Sequence, residues 1–395
     1  MTRAVGYAYP WDFTGDPAAA PRARALGLDA VAVAAAYHTV RAAAPLHPAR
    51  RLVEARHAAC YVPVREEAWR GRRLRPAQPS WPGPEPDDDL FGHARDALRP
   101  AGLDVYAWAV LTHNSLLGRA NPDLTVRNAF GEHYSYALCP SAREVVDYCA
   151  TLVREIVAAA RPDGLVLEAC GPLGVVHGGH HDKTDLSGWT AVQQQLLSLC
   201  FCAGCTRRYA DAGIDAAQAA QRVRDALGAG GAGPPESVHD ALGARPADAL
   251  AGVRARVVRA LRARVAAEAR AVSPGLRLVL HASADPWATG PFATVDGGLG
   301  TDVDVLVGRC WDSGPGGARG LRALAHAADE HTAVGGYLLA DGSWQAADAA
   351  ERLRDYLAAG MDELHLYHLG LAGAAGRQVM ARLVAAAQEA ARPAT

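Results

Sequence analysis

Eight short runs rich in Val, Leu, Ala and Tyr recur along this chain, separated by longer amphipathic stretches of Ala, Arg and Leu. Short apolar runs read as buried strands, and stretches of helical period read as the helices that cover them. Strands joined by crossover helices run parallel, and eight such units close into a barrel. The runs fall at 4–9, 30–36, 105–111, 164–167, 277–281, 304–308, 333–339 and 363–367, and 374–391 supplies a closing helix. We therefore expect an α/β protein, a (β/α)8 TIM barrel spanning 1–395 as one decorated unit. The count holds at eight only if the run His57–Val64 stands outside the barrel.

Two departures from the alternation are expected. After the second strand, 38–90 forms an excursion whose Pro-rich part, 76–86, reads as an extended surface loop. Between the fourth and fifth strands, 211–272 reads as a helical insertion, with the Gly-rich tract 228–233 as a flexible connector.

Composition excludes some partners. Lys plus Arg number 40 against 42 for Asp plus Glu, so the near-zero net charge argues against nucleic acid or an anionic membrane. The N-terminal MTRAVGYAYPWDF has no apolar signal core, and no run approaches the roughly 20 apolar residues of a membrane span. A cytoplasmic protein is expected, and a homo-oligomer is compatible with this composition.

The strongest local signal is Cys200-Phe-Cys202-Ala-Gly-Cys205. Three thiolates at this spacing suit a tetrahedral structural Zn²⁺, which takes four ligands. Cys139, just before a helix, is the best fourth. Buried free thiols are the other reading, and Cys149 and Cys170 are expected to pack in the core.

These residues carry a family resemblance. Tyr136-Ala-Leu-Cys139-Pro140-Ser141, a helix through Tyr148, a strand ending at Glu168 and then Cys200-x-Cys202-x-x-Cys205 resemble the glycoside hydrolase family 42 β-galactosidases and related hypothetical glycosyl hydrolases. The likeness spans 136–209, under a fifth of the chain. It implies a shared structural zinc on Cys139, Cys200, Cys202 and Cys205, and Glu168 as the acid/base. Two positions depart from the family pattern. Leu167 stands where an Asn usually precedes the acid, and the seventh strand has Asp341 nearest the place of a Glu nucleophile.

The acids can also be read without the family. Side chains at the C-terminal ends of barrel strands line the site. Asp12, Glu168, Asp312 and Asp341 fall there, with Asp285 just beyond the fifth strand. Glycoside cleavage needs two carboxyl groups, about 5 Å or about 6.5–9.5 Å apart according to stereochemistry. Glu168 follows the apolar Leu165-Val166-Leu167, so its proton should be held by burial, as a general acid requires. Asp341 or Asp312 is the expected partner. Aromatics crowd the same ends: Tyr9, Trp11, Tyr37, Trp108, Trp287, Trp311, Trp344 and Tyr367, with His38 and His368 beside them. Only 6% of the chain is aromatic, so this concentration points to a carbohydrate platform. The residues expected to bind substrate are Trp11, Asp12, Tyr37, His38, Trp108, His113, Asn114, His177, His180, His181, Lys183, His281, Trp311, Trp344 and Tyr367.

The loop His177-Gly-Gly-His180-His181-Asp182-Lys183 leaves alternatives open. It could order over a substrate, bind its hydroxyls, or hold a catalytic metal through three imidazoles. The expected function is a glycosidase acting on a small saccharide or glycoside. The alternatives are a metal-dependent hydrolase or lyase built on His177, His180 and His181, and a catalytically inactive barrel that binds sugar or a partner.

Overall fold

The computed structural model describes residues 2–80, 89–176, 183–228, 233–296, 302–312, 314–341, 343–344 and 346–390. The expected eight strands form, in order: β1 (Arg3–Ala8), β2 (Ala30–Tyr37), β3 (Asp104–Val110), β4 (Gly164–Glu168), β5 (Arg277–Ser283), β6 (Val305–Arg309), β7 (Ala333–Leu339) and β8 (Glu363–Tyr367). Each pairs in parallel with its sequence neighbours. β8 pairs back onto β1, with Arg3 opposite Glu363 and Gly6 opposite Leu366, which closes the ring.

Closure sorts alternate residues to opposite faces. On β1, Ala4 and Ala8 face the helices, while Val5, Tyr7 and Tyr9 face the axis. β2 turns Ala30, Ala32 and Ala34 inward. Those small side chains leave room for the rings of Tyr7, Tyr106 and Trp108, all fully buried. Outside, the long helix Ala244–Val272 buries Leu250, Val253, Val257, Leu261 and Val265 at helical spacing and packs on Arg143–Ala160.

The run at 57–64 stands outside the barrel. Its only strand, Ala59–Cys60, lies antiparallel on the end of β2, with Ala36 opposite Cys60. Before it, Val40–Ala43 and Leu52–Ala55 form a hairpin. Between β4 and β5 the chain is helical, at Ala191–Leu197, Ala203–Asp211, Ala216–Leu227, Val238–Leu242 and Ala244–Val272. Most of the Gly-rich tract (229–232) and the end of the Pro-rich segment (81–86) lie outside the described residues. No described helix is long and apolar enough to cross a membrane.

Gly335 on β7 shows how tightly the axis is filled. A Cβ there would stand 2.9 Å from His365 Cδ2 and 3.0 Å from Val307 Cγ2. Gly335→Ala should therefore destabilise the fold by about 1–3 kcal/mol through overpacking, read as a lower urea midpoint at unchanged slope.

Candidate active site

Glu168 is the last residue of β4, and its carboxyl turns into the barrel mouth. Trp108 on β3 donates its indole N–H to Glu168 Oε2 at 2.8 Å. His281 Nδ1 on β5 lies 3.5 Å from the same oxygen. Burial raises the Glu168 carboxyl to about 7, and the Trp108 donor offsets only part of that rise. About 10% of the side chain stays exposed, so a ligand can reach it. Among the described residues no second carboxylate hydrogen-bonds to it. The next residue, Ala169, has φ +52°, a left-handed conformation that costs a non-glycine residue about 1 kcal/mol or more. Its N–H is held by the Pro291 carbonyl at 2.8 Å. That fixes the turn directly behind the acid.

An aromatic pit surrounds Glu168. Trp108 meets Tyr7 edge-on at 5.0 Å and Tyr37 at 4.6 Å. Tyr9 stacks on Trp11 at 4.5 Å and packs against His368 at 4.1 Å. Across the mouth, Trp311 and Tyr367 approach to 6.3 Å, and Tyr337 lies 5.7 Å from Tyr367. The hydroxyls of Tyr9, Tyr37 and Tyr367 interact with one another, and Glu168 acts electrostatically on Tyr37 and Tyr367. Such a pit combines apolar ring faces with a few convergent polar groups.

Several expected residues stand elsewhere. Asn114 is buried, and its side-chain oxygen accepts from Leu117 N at 3.0 Å to cap the helix Ser115–Ala120, while the side chain also bonds Tyr148. Trp344 turns away from the pit. Its indole donates to the Leu339 carbonyl, and Arg352 lies over its face, within the layer between strands and helices. Asp341 is exposed and accepts from Ser343 N at 2.9 Å. Asp312 is exposed and pairs with Arg309 at 3.4 Å. Asp285 is exposed and accepts from Trp287 N and Gln195 Nε2. Asp12 is buried, accepts from Tyr9 N at 2.8 Å, and is raised by burial to about 7. It packs against Gly370, where any Cβ would collide with its carboxyl. His38 and His113 are half-buried and stack at 4.3 Å on the rim. Lys183 is exposed. His177, His180 and His181 lie outside the described residues.

His281 differs from expectation in its surroundings. It is fully buried, with Nε2 held by the Tyr7 hydroxyl at 2.9 Å, and so belongs beneath the pit. Tyr7, Tyr337, Glu363 and His365 escaped sequence reasoning. A signal was present: Glu363-Leu-His365-Leu-Tyr367 alternates polar and apolar, and its polar face is the one that turns inward.

The four cysteines come together. The Cys139 sulfur lies 3.6 Å from Cys205, 3.7 Å from Cys200 and 3.5 Å from Cys202, and all four residues are buried. A tetrahedron of Zn–S bonds of about 2.3 Å has S···S edges of about 3.8 Å, so the cluster can bind a metal ion. Backbone N–H groups of Arg127 and Cys202 point at the Cys200 sulfur, as expected around thiolates. Gly204 lets the helix Ala203–Asp211 approach Ser141, whose carbonyl would lie 2.8 Å from a Cβ. The cluster thereby ties the loop after β3 to the segment after β4, on either side of Glu168.

No family model and no curated protein matches the sequence. Solved structures match its fold. The catalytic domain of a β-amylase from Paenibacillus polymyxa superposes with TM-score 0.58 at 12% identity, covering 99% of both chains. A β-galactosidase from Bacillus circulans sp. alkalophilus gives 0.56 at 10% identity, covering 98% of this chain and 56% of that one. The α-L-fucosidase isoenzyme 2 from Paenibacillus thiaminolyticus gives 0.55 at 14%, covering 98% and 49%. This chain thus spans about half the length of the fucosidase and the β-galactosidase. These likenesses show the fold, a (β/α)8 barrel.

The buried acid leaves a signature in stability. Below the ordinary glutamate value of 4.5, Glu168 is protonated in both the folded and unfolded chain. As pH rises towards 7 the unfolded chain releases that proton first, and folding loses about 3 kcal/mol over this window. Glu168→Gln removes that loss. Chemical denaturation should show the variant gaining on the parent between about pH 4.5 and 7, with the gap level above that range.

Proposed function

We propose that this chain is a glycoside hydrolase acting on a small saccharide or glycoside, with Glu168 as general acid. The observation that carries the reading is a carboxyl at the end of β4, set in an aromatic pit, that keeps its proton to about pH 7. Cleavage needs such a proton for the leaving oxygen and a second carboxylate to attack or to activate water. Asp341 and Asp312, at the ends of β7 and β6, are the proposed partners. The part-exposed ring faces of Trp311 and Tyr367 suit sugar C–H groups, with Trp11 and Trp108 buried behind the mouth, and Tyr37, His38 and His113 suit hydroxyls. The β-amylase, β-galactosidase and α-L-fucosidase of like fold are named for glycosides, which supports the substrate class.

Zinc is the metal proposed for Cys139, Cys200, Cys202 and Cys205. Its role is that of a cross-link fixing the two loops beside Glu168, and it takes no part in bond cleavage. A second reading, a barrel that binds sugar without turnover, is favoured by one observation: Asp341 and Asp312 are exposed and engaged with near neighbours.

Glu168→Gln should lower kcat/KM on an aryl glycoside panel by about 10²–10⁴-fold without lowering the thermal midpoint. Absence of turnover in the parent, with sugar binding seen as a thermal shift, would support the second reading. Elemental analysis should find zinc in the purified protein, and Cys202→Ser should lose it and melt at lower temperature.

A further inference from the structure

A buried cation needs an anion within reach, because taking its charge out of water is expensive. Arg254, on the helix Ala244–Val272, is 7% exposed. Other arginines of this helix have carboxylate partners: Arg259 pairs with Asp296, Arg262 with Asp302 and Arg264 with Glu268. Among the described residues no Asp or Glu forms an ion pair with Arg254. Its side chain donates instead to two backbone carbonyls of the loop after β5, Ala288 O at 2.8 Å and Pro286 O at 3.4 Å. The guanidinium also lies 6.0 Å from the centre of the Trp287 ring, in the same loop. Carbonyl dipoles and a ring face orient a cation, but they do not neutralise it.

The nearest source of negative charge is the cysteine cluster. The helix Ala203–Asp211 starts at that cluster and packs on the helix Ala244–Val272. Val253 and Val257, to either side of Arg254, share one apolar cluster with Cys200, Cys205, Tyr209 and Trp287. The Tyr209 hydroxyl donates to the Cys200 carbonyl at 2.8 Å, and its ring feels both the cysteines and Arg254. Burial pulls the guanidinium below its ordinary value, and Tyr209, Cys205, Asp285 and Cys200 are the groups that favour its charge. Burial holds the proton on Tyr209. Asp285 is exposed and already accepts from Trp287 N and Gln195 Nε2. The sulfurs remain. As neutral thiols they offer no charge, whereas four thiolates around one Zn²⁺ leave two negative charges over.

We propose that Arg254 is the buried counter-charge of a Zn(Cys)4 centre and that it extends the hold of that centre to a third loop, the one after β5. Arg254 is a positioning residue, and the inference rests on the reading of the four cysteines as a zinc site. Its charge answers the thiolates, and its N–H groups hold the Pro286 and Ala288 carbonyls. The same loop holds the turn behind Glu168, where the Pro291 carbonyl accepts from Ala169 N. The loops after β3, β4 and β5 are thereby joined through one charged junction, two of them by sulfur and the third by Arg254.

Zinc affinity is read by competition with a chromophoric chelator. Cd²⁺ in place of zinc reports the thiolates through its ultraviolet sulfur-to-metal charge-transfer band. Arg254→Gln keeps an N–H donor for the carbonyls and removes the charge. It should bind zinc about 10–100-fold more weakly than the parent, the range seen for outer-shell partners of metal ligands. Arg254→Lys keeps the charge and should stay close to the parent. Both variants, once saturated, should show the parent's Cd²⁺ band, which marks the four sulfurs as in place. Parent affinity in Arg254→Gln, or an equal loss in Arg254→Gln and Arg254→Lys, would overturn the counter-charge.

The parent alone tests the link to the third loop, and it decides the matter should Arg254→Gln fail to fold. Stripping its metal should speed amide hydrogen exchange at Trp287 and Ala288 while exchange on β8 stays slow. Unchanged exchange at Trp287 and Ala288 would overturn the link. Failure of the zinc reading itself looks different. The parent would then take up neither Zn²⁺ nor Cd²⁺, and both readings would fall together.

Discussion

A sheet that closes on itself sends every second side chain to one narrow axis, and everything distinctive here follows from how that axis is filled. The strands divide the space unequally. Ala30, Ala32 and Ala34 on β2 and Gly335 on β7 give up volume, and Tyr7, Tyr106, Trp108 and Tyr337 take it. Rings of that size bring polar atoms with them. A polar atom at the centre of a barrel has no water to fall back on, so leaving one unpaired is costly, and Tyr7, His365 and Glu363 bond to one another along the axis. The result is an interior organised by hydrogen bonds as well as by packing, with Glu168 at its upper end.

The eight strands were legible because their signal is local: apolar runs of strand length, each followed by a helix-length stretch. Glu168 and the cysteines were legible for the same reason. One ends an apolar strand, and three of the four cysteines fall within six residues of one another. The remainder depended on direction, which a sequence states weakly. Asn114 and Trp344 both follow strands, but the backbone beyond a strand end decides where a side chain points. Asn114 turned to cap a helix, and Trp344 turned behind the barrel. Tyr7 and His365 were hidden for the converse reason. They sit within strands, where residues are read as filling, and only the period of two on β8 marked its polar side as internal.

The cysteine cluster answers a problem that closure does not. Barrel strands are fixed by their neighbours, but the loops above them are not. The segments after β3 and β4 precede and follow Glu168 in the sequence, and four sulfurs within 4.8 Å of one another join them at one point. That junction sits on the helix start at Cys202, the end of the strand His133–Leu138 just before Cys139 and a close backbone approach at Gly204, so it is built from several local structures at once.

The buried polar contacts joining Arg277, Glu363, His365, Tyr7 and His281 inside the barrel also bear on how such a chain can change over generations. They come from three strands that are far apart in sequence, and exchanging Glu363, His365 or Tyr7 would take a partner from a buried neighbour. Drift at any one of them is therefore penalised until a second site changes to match. These five positions should be inherited as a block, so that descendants keep the whole set or abandon it together for an oily interior.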